Sequence, residues 1–129
     1  MDAKPFLVPA LIAGLLFCSG PILAHHSSSE YDMTKTSSVK GTVTQFDWSN
    51  PHPYIYMDVT NDKGDVEKWS GELPALPMMA RIGWRRDSVK PGDQITFHGN
   101  LAKNGRFLMR LDKIILPNGQ ELATSRVTP

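Results

Sequence analysis

Histidine carries the strongest chemical signal in this chain, which has four of them. Two are adjacent, His25-His26, directly after Ala24 at the end of an apolar leader. Cleavage after Ala24 frees an α-amine beside the His25 imidazole. The amine and Nδ1 can then close a six-membered chelate on one ion, and a third nitrogen completes a T-shaped N3 set that suits Cu(II). Reference pKa values of about 7.7–8.0 for an α-amine and about 6.5 for imidazole leave both donors at least partly deprotonated near neutral pH. The third nitrogen can come from His26, which can also offer its own amide, or from His52 in a proline-flanked loop. His98 falls on the outward parity of a strand and is the outlying candidate, while Glu30 and Asp32 can add oxygen ligands. The third position is Ser27, so the amino-terminal Xaa-Xaa-His copper motif is absent. The bland alternative is a solvated polar arm that helps the peptidase and little else. Five methionines beyond Met1 invite a Cu(I) reading. Met57 and Met109, however, lie on inward strand parity and are expected in the core, and Met78-Met79 half in the core and half as a cap.

A second set of residues is aromatic. Trp48, His52, Tyr54 and Tyr56 cluster around one loop and strand, and Trp69 and Trp84 can approach them. With Asn50 and Arg86, the residues Trp48, Tyr54, Tyr56 and Trp84 form a candidate ligand-binding face, using stacking and a few hydrogen bonds. A small molecule, a glycan or a protein partner suits such a face in an exported protein better than a nucleic acid. The formal net charge is only +1, without the clustered Lys and Arg that a nucleic-acid binder needs. In the competing reading, Trp48 and Trp69 fill the interior, and the two tyrosines coat an exposed sheet face.

Other chemistries find little support. Arg86 and Asp87 can make a surface pair of small energetic value, and Arg85-Arg86 lacks a glycine-rich anion cradle. There is no Gly-x-Ser-x-Gly elbow, no phosphate-binding glycine loop and no dinucleotide fingerprint. The carboxylates are scattered through turns, so no acid–base pair is indicated. Copper redox chemistry at His25 is the one enzymatic route left open, as a copper oxidoreductase. The sole cysteine, Cys18, lies in the leader, so the mature chain is expected to have neither a disulfide nor a thiolate metal site.

The leader reads as a signal peptide over residues 1–24. Lys4 supplies positive charge, Phe6 to Phe17 is apolar apart from Pro9 and Gly14, and Ile22-Leu23-Ala24 suits signal peptidase. The apolar run falls short of the about 20 residues that span a bilayer, so no membrane span is expected in the mature chain. Phe17 stands where lipoprotein processing wants a small residue, which argues against lipidation at Cys18. The expected destination is the periplasm, with full secretion as the alternative. Losing Asp2 and Lys4 together leaves the net charge unchanged.

The mature chain reads as one domain, and its pattern is all-β with one short helix. Residues 25–36 are polar and without period, an extended arm. Val39 to Trp48 alternates, but Phe46 and Trp48 fall on the wrong parity unless a bulge intervenes near Thr44 or Gln45. Ser49-Asn50-Pro51-His52-Pro53 is a loop. Tyr54 to Thr60 is the cleanest strand, and Asn61 to Gly64 turns it into a partner over Val66 to Gly71. Leu73 to Gly83 switches to helical period, limited by Pro74 and Pro77. Strands follow at Gln94 to Leu101 and Phe107 to Leu116, with a short pairing near Gln120 to Leu122. The order strand-strand-strand-helix-strand-strand points to a five-stranded OB-like Greek-key barrel over 37–122, followed by a flexible tail over 123–129. A small open sandwich is the alternative. The expected core is Val43, Phe46, Ile55, Met57, Val59, Trp69, Leu76, Ile95, Phe97, Met109, Leu111 and Ile114.

These residues also resemble a family of small exported bacterial proteins of uncharacterised function. The resemblance rests on Ala24-His25-His26-Ser27, Gly41-Thr42-Val43, Trp48-Ser49-Asn50-Pro51-His52, Gly83-Trp84-Arg85-Arg86-Asp87-Ser88 and Lys90-Pro91-Gly92-Asp93. It covers nearly the whole mature chain. It implies an exported single domain whose chain starts at His25, and it implies no particular activity.

Overall fold

A computed structural model describes residues 28–126. The expected signal peptide, His25, His26 and the last three residues lie outside them. Six strands and one helix follow a short 3₁₀ turn at Ser28–Glu30: β1 Ser37–Asp47, β2 Tyr54–Thr60, β3 Val66–Glu72, α1 Leu76–Arg81, β4 Gln94–Leu101, β5 Leu108–Ile115 and β6 Glu121–Ala123. The sheet order is β3-β2-β1-β4-β5-β6, and a further pairing of β3 with β5 closes the first five strands into a barrel. That closing pair is parallel, while every other pair is antiparallel. This is the OB-type barrel that the order of elements predicts.

The parity conflict in β1 is resolved by the bulge it demands. The β1–β2 register shifts between Val43 and Gln45, so Val43 pairs with Met57 and Phe46 with Ile55. The extra residue returns Phe46 to the core side and bends the strand, as a closed five-stranded barrel requires. Close strand approach is bought with missing side chains. A Cβ on Gly71 would sit 2.7 Å from Leu111 Cδ1 and 2.8 Å from Phe97 Cζ.

Nine of the expected core residues are buried: Val43, Ile55, Met57, Trp69, Ile95, Phe97, Met109, Leu111 and Ile114. Phe46 and Val59 pack partly buried against them. Leu76 is a correction, because it is only half-buried. The helix begins at Leu76, with proline in its first turn, rather than at Leu73. That displacement leaves Leu73 ahead of the helix as a buried plug and turns Met79, rather than Leu76, inward. Trp84 and Val89 complete the same cluster.

The segment before β1 is stitched to the barrel wall. Tyr31 makes a bridge to Ala102. The Asp32 amide donates to Leu101 O at 2.9 Å, and the Lys103 amide donates to Glu30 O at 2.9 Å. Tyr31 is 2% exposed and builds a second small core with Ala102 and Leu108, against which Tyr54 packs. No helix among the described residues is long and apolar enough to cross a membrane.

Candidate functional site

Barrel closure assembles a row of polar residues on the outer wall. Tyr54 pairs with Glu72, Glu72 with Arg110 across the parallel seam, and Arg110 with Asn100. Direct partners across a ladder share a face. Trp69 and Gly71 are buried on the inward parity of β3, so the intervening Ser70 and the terminal Glu72 face outward. Glu72 is nevertheless only 6% exposed. The N-terminal segment lies over it, and the Tyr31 hydroxyl donates to Glu72 Oε2.

This arrangement opens a cleft of about 530 Å³ between the barrel wall, the segment before β1, the start of α1 and the residues after β6. Tyr31, Met33, His52, Glu72, Met78 and Arg110 are among the residues that line it. Burial pushes the Tyr31 phenol far above its ordinary range, with the Glu72 hydrogen bond and charge adding to it. Tyr54 is driven the same way, by burial first and then by the charge and hydrogen bond of Glu72. Both phenols are therefore neutral donors at any physiological pH, held against a carboxylate that accepts from them.

His52 is built into the cleft rim from both sides. Pro53 O accepts from the Leu73 amide at 3.0 Å, and Pro51 O accepts from the Leu76 amide at 3.2 Å. The Asn50–Pro51 peptide is cis. The loop is thus zipped onto the chain leading into α1. His52 Nδ1 lies 2.9 Å from Leu73 O and 3.8 Å from Glu72 Oε1. A carbonyl oxygen only accepts, so Nδ1 carries the proton and Nε2 carries the lone pair in the neutral ring. A partner on Nδ1–H that fixes the tautomer is what a metal-ligating imidazole commonly has.

The other expected site residues scatter. Trp48 makes an edge contact with Phe46, with ring centroids 5.6 Å apart, and packs on the core. Trp84 also meets Phe46, at 6.4 Å, but it is buried and its Nε1–H donates to Ala123 O at 2.9 Å. Tyr54 and Tyr56 stack on one another with centroids 6.1 Å apart. Asn50 and Arg86 are exposed. These residues do not gather on one open aromatic face; the cleft takes His52 from the two expected sets and none of the expected aromatic ones. His98 pairs with Asp112, Nδ1 to Oδ1 at 2.6 Å. Glu30 faces Arg106 at 3.7 Å. Asp32 accepts from the Thr34 hydroxyl and amide, and these bonds, with Lys35 beside it, hold its carboxyl below the usual range.

Among the described residues, no three His, Cys, Asp or Glu side chains gather in a way that could hold a metal ion. Tyr31, Glu72 and Arg110 are among the cleft residues that sequence reasoning missed. Their meeting depends on the seam register and on the covering segment, neither of which leaves a local pattern.

Barrel order, the helix between the third and fourth strands, and the covered outer row define an OB-type barrel protein with a lateral cleft. The chain belongs to DUF6152, a family of unknown function, which matches residues 13–108. A comparison with curated protein sequences finds no match. Among solved structures, the chain is similar to the mitochondrial single-stranded DNA binding protein Rim1 of S. cerevisiae. That likeness has 12% identity and a TM-score of 0.49, and covers 64% of this chain and 93% of that one.

Proposed function

We propose that this protein is an exported, non-enzymatic module of the periplasm that holds a Cu(II) ion between its mature N-terminus and the cleft. His25 supplies its amine and imidazole, and His26 or His52 supplies the third nitrogen. The observation that carries the reading is the locked tautomer of His52, whose Nδ1–H is committed to Leu73 O. An imidazole held in place on a braced loop is better preorganised for a metal than a swinging ring, which would have to be ordered on binding. The anchoring of Tyr31 supports it further. Five residues lie between His25 and Tyr31, and Ser28–Glu30 among them are wound into a 3₁₀ turn, so the reach from that anchor is shorter than the roughly 20 Å of a fully extended chain.

Intact mass of the exported product establishes whether the chain begins at His25. Calorimetry with Cu(II) is then run on three proteins: the chain starting at His25, the same chain with one extra N-terminal residue, and His52→Ala. The expected result is one tight site per molecule, weakened at least tenfold by the extra residue. Equal affinity with and without that residue removes the amine as a ligand and defeats the reading. Because the ligands must shed protons, affinity also falls as pH drops through the range of about 8 to 6.5.

A further inference from the structure

Strand β5 puts opposite charges side by side on its outer wall. Arg110 and Asp112 are exposed on either side of buried Leu111, and both line the cleft. Two residues of strand separate their backbones by about 6.6 Å. Among the described residues Arg110 makes no ion pair. Its guanidinium is steadied by the Met33 sulfur at 3.7 Å, a weak acceptor that occupies one N–H of a fork suited to an oxyanion. Asp112 Oδ1 accepts from His98 Nδ1 at 2.6 Å, which leaves Oδ2 to accept from an occupant. Glu72, in register with Arg110 across the parallel seam, adds a second carboxylate to the lining.

This mixture of charges selects its ligand. A simple anion that reached Arg110 would meet two carboxylates, and a simple cation would meet the guanidinium. A molecule with both charges satisfies both ends. An ammonium and a carboxylate on one carbon lie about 2.5 Å apart, so with hydrogen bonds of about 2.8 Å at each end they span groups up to roughly 8 Å apart. The remaining wall is apolar. Met33 and Met78, 48% and 55% exposed, line it with Pro74 and Ala75. Long unbranched thioethers adapt to an apolar side chain laid against them. The volume of about 530 Å³ lies within the range of small-molecule pockets.

We infer that the cleft binds a free α-amino acid with an apolar side chain, its carboxylate on Arg110, its ammonium on Asp112 and its side chain against Met33 and Met78. The site uses neither His25 nor His52, so it does not rest on the Cu(II) reading.

The test is calorimetry on the purified protein with L-leucine, in excess chelator so that no copper takes part. Three probes each lack one element: N-acetyl-L-leucine the cation, 3-methylbutylamine the carboxylate, and glycine the apolar side chain. Leucine is expected to bind one per molecule, and each probe at least tenfold more weakly. Arg110→Gln should weaken leucine at least tenfold and leave 3-methylbutylamine unchanged. Asp112→Asn, which keeps an oxygen for His98, should weaken leucine likewise and leave N-acetyl-L-leucine unchanged. Both should keep the wild-type circular dichroism. Wild type that ignores leucine at millimolar concentration overturns the site, as does any probe that binds as tightly as leucine. An extra residue before His25 should not change leucine affinity, so failure of the Cu(II) reading leaves these expectations untouched.

Discussion

The Tyr31 hydroxyl donates to the Glu72 carboxylate, joining residues 41 positions apart and covering a charge that strand parity turns toward solvent. This contact ties the segment before β1 to the cleft wall, alongside the backbone bonds of Glu30 and Asp32. Tyr31→Phe preserves the ring packing on Ala102 and Leu108 and removes only the donor. A hydrogen bond to a buried charged group contributes about 1.5–3 kcal/mol, so stability should fall by that much. Urea unfolding checks it, with a lower midpoint and an unchanged slope. Cleavage by trypsin at exposed Lys35 should quicken in the same variant.

Alkaline titration gives a second signature. The folded protein holds the Tyr31 and Tyr54 phenols above their ordinary value near 10. For a group whose pKa is raised in the fold, the stabilisation is complete below the unfolded value and is lost as pH climbs toward the folded one. Stability should therefore decline above about pH 10. Phenolate absorbance from Tyr31 and Tyr54 should appear together with unfolding. A smooth titration of Tyr31 and Tyr54 with the fold intact would contradict the packing described.

The β4–β5 ladder predicts a severe effect from a small change. A Cβ placed on Gly99 would lie 2.0 Å from Arg110 O, in backbone rather than in a flexible side chain. The ladder register shifts between His98 and Gly99 at that point. Gly99→Ala should cost about 3 kcal/mol or more through forced strand separation. Thermal unfolding measures it.

Trp84→Phe tests the anchoring of the last strand. The indole N–H that donates to Ala123 O is lost, while most of the ring burial is kept. The expected loss is about 1 kcal/mol. Hydrogen exchange at the Thr124 amide, bonded to Asp112 O, should accelerate more than exchange in β2.

Alternation made the strands legible. Tyr54–Thr60 and Gln94–Leu101 read cleanly because apolar and polar residues take turns there, and the β1 bulge could be deduced because Phe46 fell on the wrong side without it. The helix read too long because the apolar period continues through Leu73, although Pro74 and Pro77 keep its backbone from starting before Leu76. His52 stood out through its flanking prolines. Tyr31 and Glu72 did not, since one sits in a polar stretch and the other ends a strand on its wet side. Only the non-local pairing of β3 with β5 and the overlying segment make them partners, and a single local window contains neither.

Glu72 and Arg110 face each other across the parallel seam, and both border the cleft. An occupant there would act as a clasp on the joint that shuts the barrel. Molecules that bind the native state alone raise its resistance to heat in proportion to the logarithm of their concentration. A melting-temperature survey of ions and metabolites can thus reveal what binds in this cleft.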